Sequence, residues 1–172
     1  MLLEDLALMM GLAVLVFIFV IRPTGVDGIS MNSTLHDGDK LLVSNLFYRP
    51  KQGDIVVFTK KSYMSESLVK RVIAVEGQTI EVDYAANQVF VDGEPLWEPY
   101  KNERIMYKGV ISERDEMEYP AVVPEGYIFV LGDNRNNSRD SRLISIGMVD
   151  NRYVLGRAVF RIWPFSGFGT VK

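Results

Sequence analysis

The chain has 172 residues, with 19 Lys and Arg against 22 Asp and Glu and a formal net charge of −3. So close a balance excludes an extended surface for polyanions, and nucleic acid is not expected as a partner. The absence of cysteine excludes disulfides and thiolate metal sites, and the single histidine, His36, lies in Leu35-His36-Asp37-Gly38-Asp39, which reads as a surface turn and not as half of a Ser-His dyad.

Leu6 to Ile21 carries no charge and is bounded by Glu4-Asp5 and by Arg22-Pro23. As a helix it would cover about 24 Å, somewhat short of a ~30 Å hydrocarbon core, with Leu2 and Leu3 able to lengthen it. A cleaved signal sequence should open with basic residues, whereas this chain opens with two acids. A buried helix of a globular domain should carry a polar stripe, and this run is apolar all round. One N-terminal transmembrane helix within residues 1–23 is therefore expected, followed by a domain over 24–172. Arg22 on the C-terminal side formally opposes export of that domain, although long translocated domains escape the bias.

The stretch Val26-Asp27-Gly28-Ile29-Ser30-Met31-Asn32-Ser33-Thr34-Leu35 comes next. Gly28 gives the backbone room to turn sharply and to leave the Ser30 hydroxyl exposed at a sheet edge. Gly-x-Ser is common by chance, so the stretch gains meaning only through two later runs, one holding Lys70 and one spanning Gly132 to Arg142.

From Asp39 the pattern becomes short β-rich runs separated by turns: Lys40 to Ser44, Ile55 to Thr59, Leu68 to Val75, Thr79 to Asp83 and Gln88 to Val91. Asp92-Gly93 signals a hairpin. This spacing predicts a mainly β, antiparallel, barrel-like domain and not alternating strand–helix units. Residues 98–125 read as a charged insert or flap, with Tyr100 to Glu118 the most charged part, and no chemistry is assigned to them. Core strands resume at Gly126 to Leu131 and close with Tyr153 to Trp163. The aromatic end around Trp163 and Phe165 suits a membrane interface or the closure of the core equally well.

Two runs carry chemistry. In Ser67 to Val75 both faces are largely apolar, so an interior strand would bear Lys70 and Arg71. Lys70 either snorkels to the rim along Leu68 and Val72, or is a desolvated, neutral amine fit to act as a base. Gly132-Asp133-Asn134-Arg135-Asn136-Asn137-Ser138-Arg139-Asp140-Ser141-Arg142 is almost entirely polar. It reads as a flexible surface loop or as one knitted by its own Asp and Asn side chains, with ion pairs among Asp133, Arg135, Asp140 and Arg142. The arginines oppose a bound cation, so no metal is expected.

Together the three stretches resemble bacterial type I signal peptidases, membrane-bound Ser/Lys endopeptidases that release exported proteins from their leader peptides. Val26 to Met31 with Thr34-Leu35 is similar to the nucleophile box, Lys70 to Gly77 to the base box, and Gly132 to Arg142 to the third box, in the family's order. The resemblance implies Ser30 as nucleophile and Lys70 as general base, with Ser138 orienting the Lys70 amine. Asp140 and Arg142 would hold the loop, supported by Asp133. Val26, Met31, Leu35 and Val69 match positions lining shallow apolar pockets for small side chains. It further implies exported preproteins as substrates, contact with the lipid bilayer, a catalytic domain outside the cytoplasmic membrane, and no cofactor.

Two features depart from the family. Ser33 stands where proline is usual, and the N-terminal flank is acidic. A non-catalytic relative of this fold would be expected to lack Ser30 or Lys70, which are both present. A Ser/Lys self-cleaving regulator would need an N-terminal DNA-binding domain in place of the apolar run.

Overall fold

The computed structural model describes residues 2–60, 67–101, 103–105 and 115–171, without the side chains of 2, 12–13 and 15–20. A 19-residue helix, α1 (Leu2–Val20), opens the chain, with Glu4 and Asp5 in its first turn, where the helix dipole favours acids. Among the described residues no helix is long and apolar enough to cross a membrane. The expected transmembrane helix is thus not found there. The helix ends at Val20, where Ile21 to Gly25 join the sheet.

Among the described residues twelve strands follow: β1 (Ile21–Gly25), β2 (Lys40–Ser44), β3 (Ile55–Thr59), β4 (Ser67–Val75), β5 (Thr79–Asp83), β6 (Gln88–Val91), β7 (Glu94–Pro95), β8 (Ala121–Val122), β9 (Tyr127–Leu131), β10 (Val149–Asp150), β11 (Val154–Trp163) and β12 (Gly169–Thr170). They form two open antiparallel sheets, one ordered β1-β2-β11-β3-β4-β9-β10 with β12 on β11, the other β7-β6-β5-β8. The expected barrel-like arrangement is corrected, since no closed barrel forms: β1 and β10 end the larger sheet without pairing to each other. Pro23, which cannot donate to a ladder, is accommodated on that edge. Asp92 and Gly93 both have positive φ (55° and 80°), as a two-residue turn between β6 and β7 requires.

The alternation within each strand decides where it packs. Ile55 and Val57 of β3 join Leu41, Val43, Val69 and Ala158 in one buried cluster, while Val56 and Phe58 join Val72, Ile128 and Val130 in another. A third cluster, with Ile73, Phe129 and Leu131, packs the large sheet on Ile80, Val82, Val89 and Val91 of the small one. Each such Val, Leu, Ile or Phe side chain contributes about 1.5–3 kcal/mol when fully buried. β4, held between β3 and β9, feeds all three clusters and is the interior strand its sequence predicts.

Candidate active site

The turn after β1 is shaped by backbone bonds and one side chain. Val26 N–H donates to Asp39 O (2.8 Å), Leu35 N–H to Met31 O (2.9 Å), and Gly28 N–H to the Asp37 carboxylate (2.8 Å). Gly28 has φ +84°, which glycine adopts without a Cβ penalty. Ser30 is thereby left half-buried at the mouth of a cavity of about 380 Å³. Ser33 is exposed and His36 is exposed, the latter in the surface turn its neighbours predict.

β4 delivers Lys70 to the same place. Its Nζ lies 2.7 Å from Ser30 Oγ and 2.8 Å from the Val69 carbonyl. The residue is only 2% exposed. Burial lowers the Lys70 pKa from 10.5 to about 8, against the opposing pull of Asp140 and Asp133. Of the two sequence readings of Lys70, the snorkelling one is overturned, since the amine is buried in contact with a hydroxyl.

The loop after β9 closes the site from the other side. Asp140 holds Arg142 bidentately (2.8 and 3.0 Å) and also accepts from Gly132 N–H (3.0 Å), all in the interior. Burial works to raise the Asp140 pKa, but Arg142 prevails and holds the carboxyl below its usual range. Asp133 pairs outward and not within its loop: Arg71 of β4 binds it through Nε and Nη2 (2.8 and 2.7 Å), and Thr34 Oγ1 donates to it (2.5 Å). The register explains this, since Arg71 lies opposite Leu131 and Asp133 comes two residues later. Arg135 likewise leaves the loop to pair with Glu98. The expected internal pairing therefore holds for Asp140–Arg142 alone.

Ser138 is completely buried beside Asp140, whose charged form its hydroxyl favours. In this structure the Val69 carbonyl, and not Ser138, is the second partner of the Lys70 amine. Val26, Met31, Leu35 and Val69, expected to line shallow pockets, pack together in one buried cluster. The apolar side chains open to the cavity beside Ser30 are Ile29 and Leu68.

Three contributors to the site escaped sequence reasoning. Asn134 N–H donates to the Ser30 carbonyl (3.0 Å), and Gly132 packs against the same oxygen, where a Cβ would stand at 2.5 Å. Glu98 lies in the stretch to which no chemistry was assigned. The one available signal for Glu98 was Arg135, a cation placed soon after an apolar strand, which needs an anion once buried.

A serine at hydrogen-bond distance from a buried amine of depressed pKa is competent for nucleophilic catalysis. The family model described as signal peptidase, peptidase S26 matches residues 2–163. The chain belongs to this family. Relatives include a probable signal peptidase I-1 of Synechocystis sp., 38% identical over 92% of this chain and 79% of the relative, and signal peptidase IB of Staphylococcus aureus, 35% identical over 87% and 82%. A solved structure of a signal peptidase I from Enterococcus faecalis V583 aligns with a TM-score of 0.49 at 29% identity, covering 65% of this chain and 98% of that one. Like these relatives, the chain is a bacterial type I signal peptidase by family, and a peptidase by class.

Proposed function

We propose that this signal peptidase removes N-terminal signal peptides from exported preproteins, with Ser30 as nucleophile and Lys70 as general base. The observation that carries the reading is the 2.7 Å separation of Lys70 Nζ and Ser30 Oγ in a buried setting. Neutral Lys70 accepts the Ser30 proton as Oγ attacks the scissile carbonyl. The tetrahedral intermediate expels the amine of the mature chain, which takes up the proton, and water then hydrolyses the acyl-enzyme with Lys70 again as base. The Ser30 backbone N–H serves as an oxyanion donor. At pH 7, with a pKa of about 8, about a tenth of the free enzyme holds Lys70 neutral.

Ser138, Asp140, Arg142 and Asp133 support the site, and Val26, Met31, Leu35 and Val69, which pack together beneath it, shape the pockets for small side chains at the first and third positions before the cut. No cofactor enters this chemistry. The apolar run Leu6 to Ile21 supports attachment to the cytoplasmic membrane by one pass, with the catalytic domain on the extracytoplasmic side, where it meets leaders held in the same bilayer.

The test compares the N-termini of exported proteins in cells carrying the native enzyme or Ser30→Ala as their sole copy. Accumulation of uncleaved precursors with the variant is expected. Unchanged mature N-termini would overturn the reading.

A further inference from the structure

Residues 98–101 lie across the third motif. Glu98 pairs with Arg135 and stands 3.3 Å from Lys101 Nζ. Both Glu98 and Arg135 are buried, so this end of the segment is fastened and not loosely laid on the surface. Further along, Asn136 Nδ2 donates to Glu103 Oε2 (3.0 Å) and to the Arg104 carbonyl (2.9 Å). Between these two fastenings the Tyr100 ring lies over the Arg71 guanidinium, 4.0 Å from its carbon to the ring centroid. Arg71 comes directly after Lys70 in β4 and uses its edge for Asp133 while its face meets Tyr100. A guanidinium can satisfy a carboxylate and a π-face at once because the two use different directions of the planar group.

We infer that Tyr100 is a positioning residue for the proteolysis, acting through Arg71 to hold the Arg71–Asp133–Thr34 network that sets Ser30 against Lys70. This rests on the proposed roles of Ser30 and Lys70. The chain of contacts is continuous. Tyr100 caps Arg71, Arg71 grips Asp133, and Asp133 accepts from Thr34 in the turn that carries Ser30. Asp133 is flanked by Gly132 and Asn134, which both meet the Ser30 carbonyl. Remove the ring, and Arg71 gains a wet face and an alternative to Asp133.

The consequence is specific to the base. Lys70 faces Asp133 and Asp140 from the loop after β9, with Arg71 and Arg142 on those carboxylates, while Asp27 and Arg139 line the open cavity. Asp133 already favours protonated Lys70. Loosening Arg71 leaves that carboxylate less neutralised and admits water, and both changes favour the charged amine.

The experiment measures kcat and KM for a soluble signal-peptide-like substrate from pH 6 to 10.5. It uses the full-length chain in detergent, with Tyr100→Phe, Tyr100→Leu and Tyr100→Met, alongside thermal unfolding. Methionine, which fills much of the volume without a π-face, is read beside leucine in case leucine prevents folding. Tyr100→Phe should retain kcat within about twofold, since the ring face is kept. The leucine and methionine variants should lose about tenfold in kcat near pH 7 with KM little changed. Their acid limb should move upward by about one pH unit, so that the deficit shrinks in alkali. Native kcat in these variants, or a loss with an unmoved acid limb, would overturn the inference. Activity retained by Ser30→Ala would instead remove the reading on which it rests.

Discussion

Gly132 and Ser30 are in contact through their backbones: a Cβ on Gly132 would stand 2.5 Å from the Ser30 carbonyl oxygen and would also overlap Ser138 Oγ. Rotation could carry Ser138 Oγ away, but neither Ser138 Cβ, also 2.5 Å away, nor the Ser30 carbonyl can move without the backbone. Gly132→Ala should therefore displace the turn that carries Ser30, lowering stability by about 1–3 kcal/mol. It should also reduce kcat by about a hundredfold, the cost of an ångström-scale misplacement. Peptide cleavage and thermal unfolding of the same preparation check both, and a variant with native turnover would show that the turn adapts.

With Lys70 as the proposed base, activity and stability should depend on pH in the same direction. Its folded pKa of about 8 lies below its ordinary 10.5. The unfolded chain therefore holds the extra proton between these values, and stability rises with pH across that window by about 3 kcal/mol. Below pH 8 the whole cost is present. Lys70→Met should then abolish cleavage while raising stability near pH 7, by up to about 3 kcal/mol. Lys70→Arg should be inactive because guanidinium stays protonated. A chemical denaturation series at pH 7 and pH 10 reads the first claim, and near-normal turnover of Lys70→Arg would remove Lys70 as base.

Legibility in the sequence tracked the range of the interactions. β2, β3, β5 and β6 match their predicted runs residue for residue because alternation and turn residues are local signals. Ser30 and Lys70 were identified by motif, and their separation of 40 positions is closed by the sheet. Sheet closure was not legible: whether β1 meets β10 depends on twist and on what covers each edge, not on any one run. Nor was the partner of Asp133. Arg71 and Arg135 were equally available by charge, and only the pairing of Arg71 with Leu131 decides between them. Ser138 was assigned its role by resemblance, and in the structure it lies close against Gly132.

The Asp140–Arg142 pair is interior, so its loss should be felt in the fold before the chemistry. Asp140→Asn should destabilise the protein by about 3–5 kcal/mol, since Arg142 is left buried without its counter-charge. The direction of the pH effect is fixed by the same pair. A carboxyl held below its ordinary 3.8 adds stability above that value and loses it as pH falls through the folded value. The native protein should therefore lose stability more steeply below about pH 4 than Asp140→Asn does. Equal acid slopes in the two proteins would contradict this.

Deletion of residues 1–20 removes α1 and leaves β1, whose Ile21 lies opposite Ser44, intact. The truncated chain should fold and cleave soluble peptides, because Ser30, Lys70 and the loop after β9 lie outside the deletion. It should leave the pelleted membrane fraction more readily than the full chain, as expected if the apolar run is the attachment. Equal sedimentation of the two with vesicles would move the attachment to the domain itself, where Trp163 and Phe165 are exposed and stacked edge to face.

Gly28 bears on the oxyanion site. One branch of the family places a serine two residues before the nucleophile, and its hydroxyl helps to hold the oxyanion. Glycine offers no such donor, and its N–H is already engaged with Asp37. At φ +84° a serine would be strained, although nothing lies within 4 Å of the Cβ it would add. The cost of a left-handed conformation, about 1–2 kcal/mol, should thus appear as a lower melting temperature without a steric failure. Turnover should change by less than tenfold, because a site that has glycine here works with donors of its own. A preorganised donor is worth about 3 kcal/mol, or about a hundredfold in rate. Measuring turnover and melting temperature of Gly28→Ser together separates the two effects. A hundredfold gain in turnover at unchanged melting temperature would show that the native site lacks a second donor and that the turn accepts a side chain without strain.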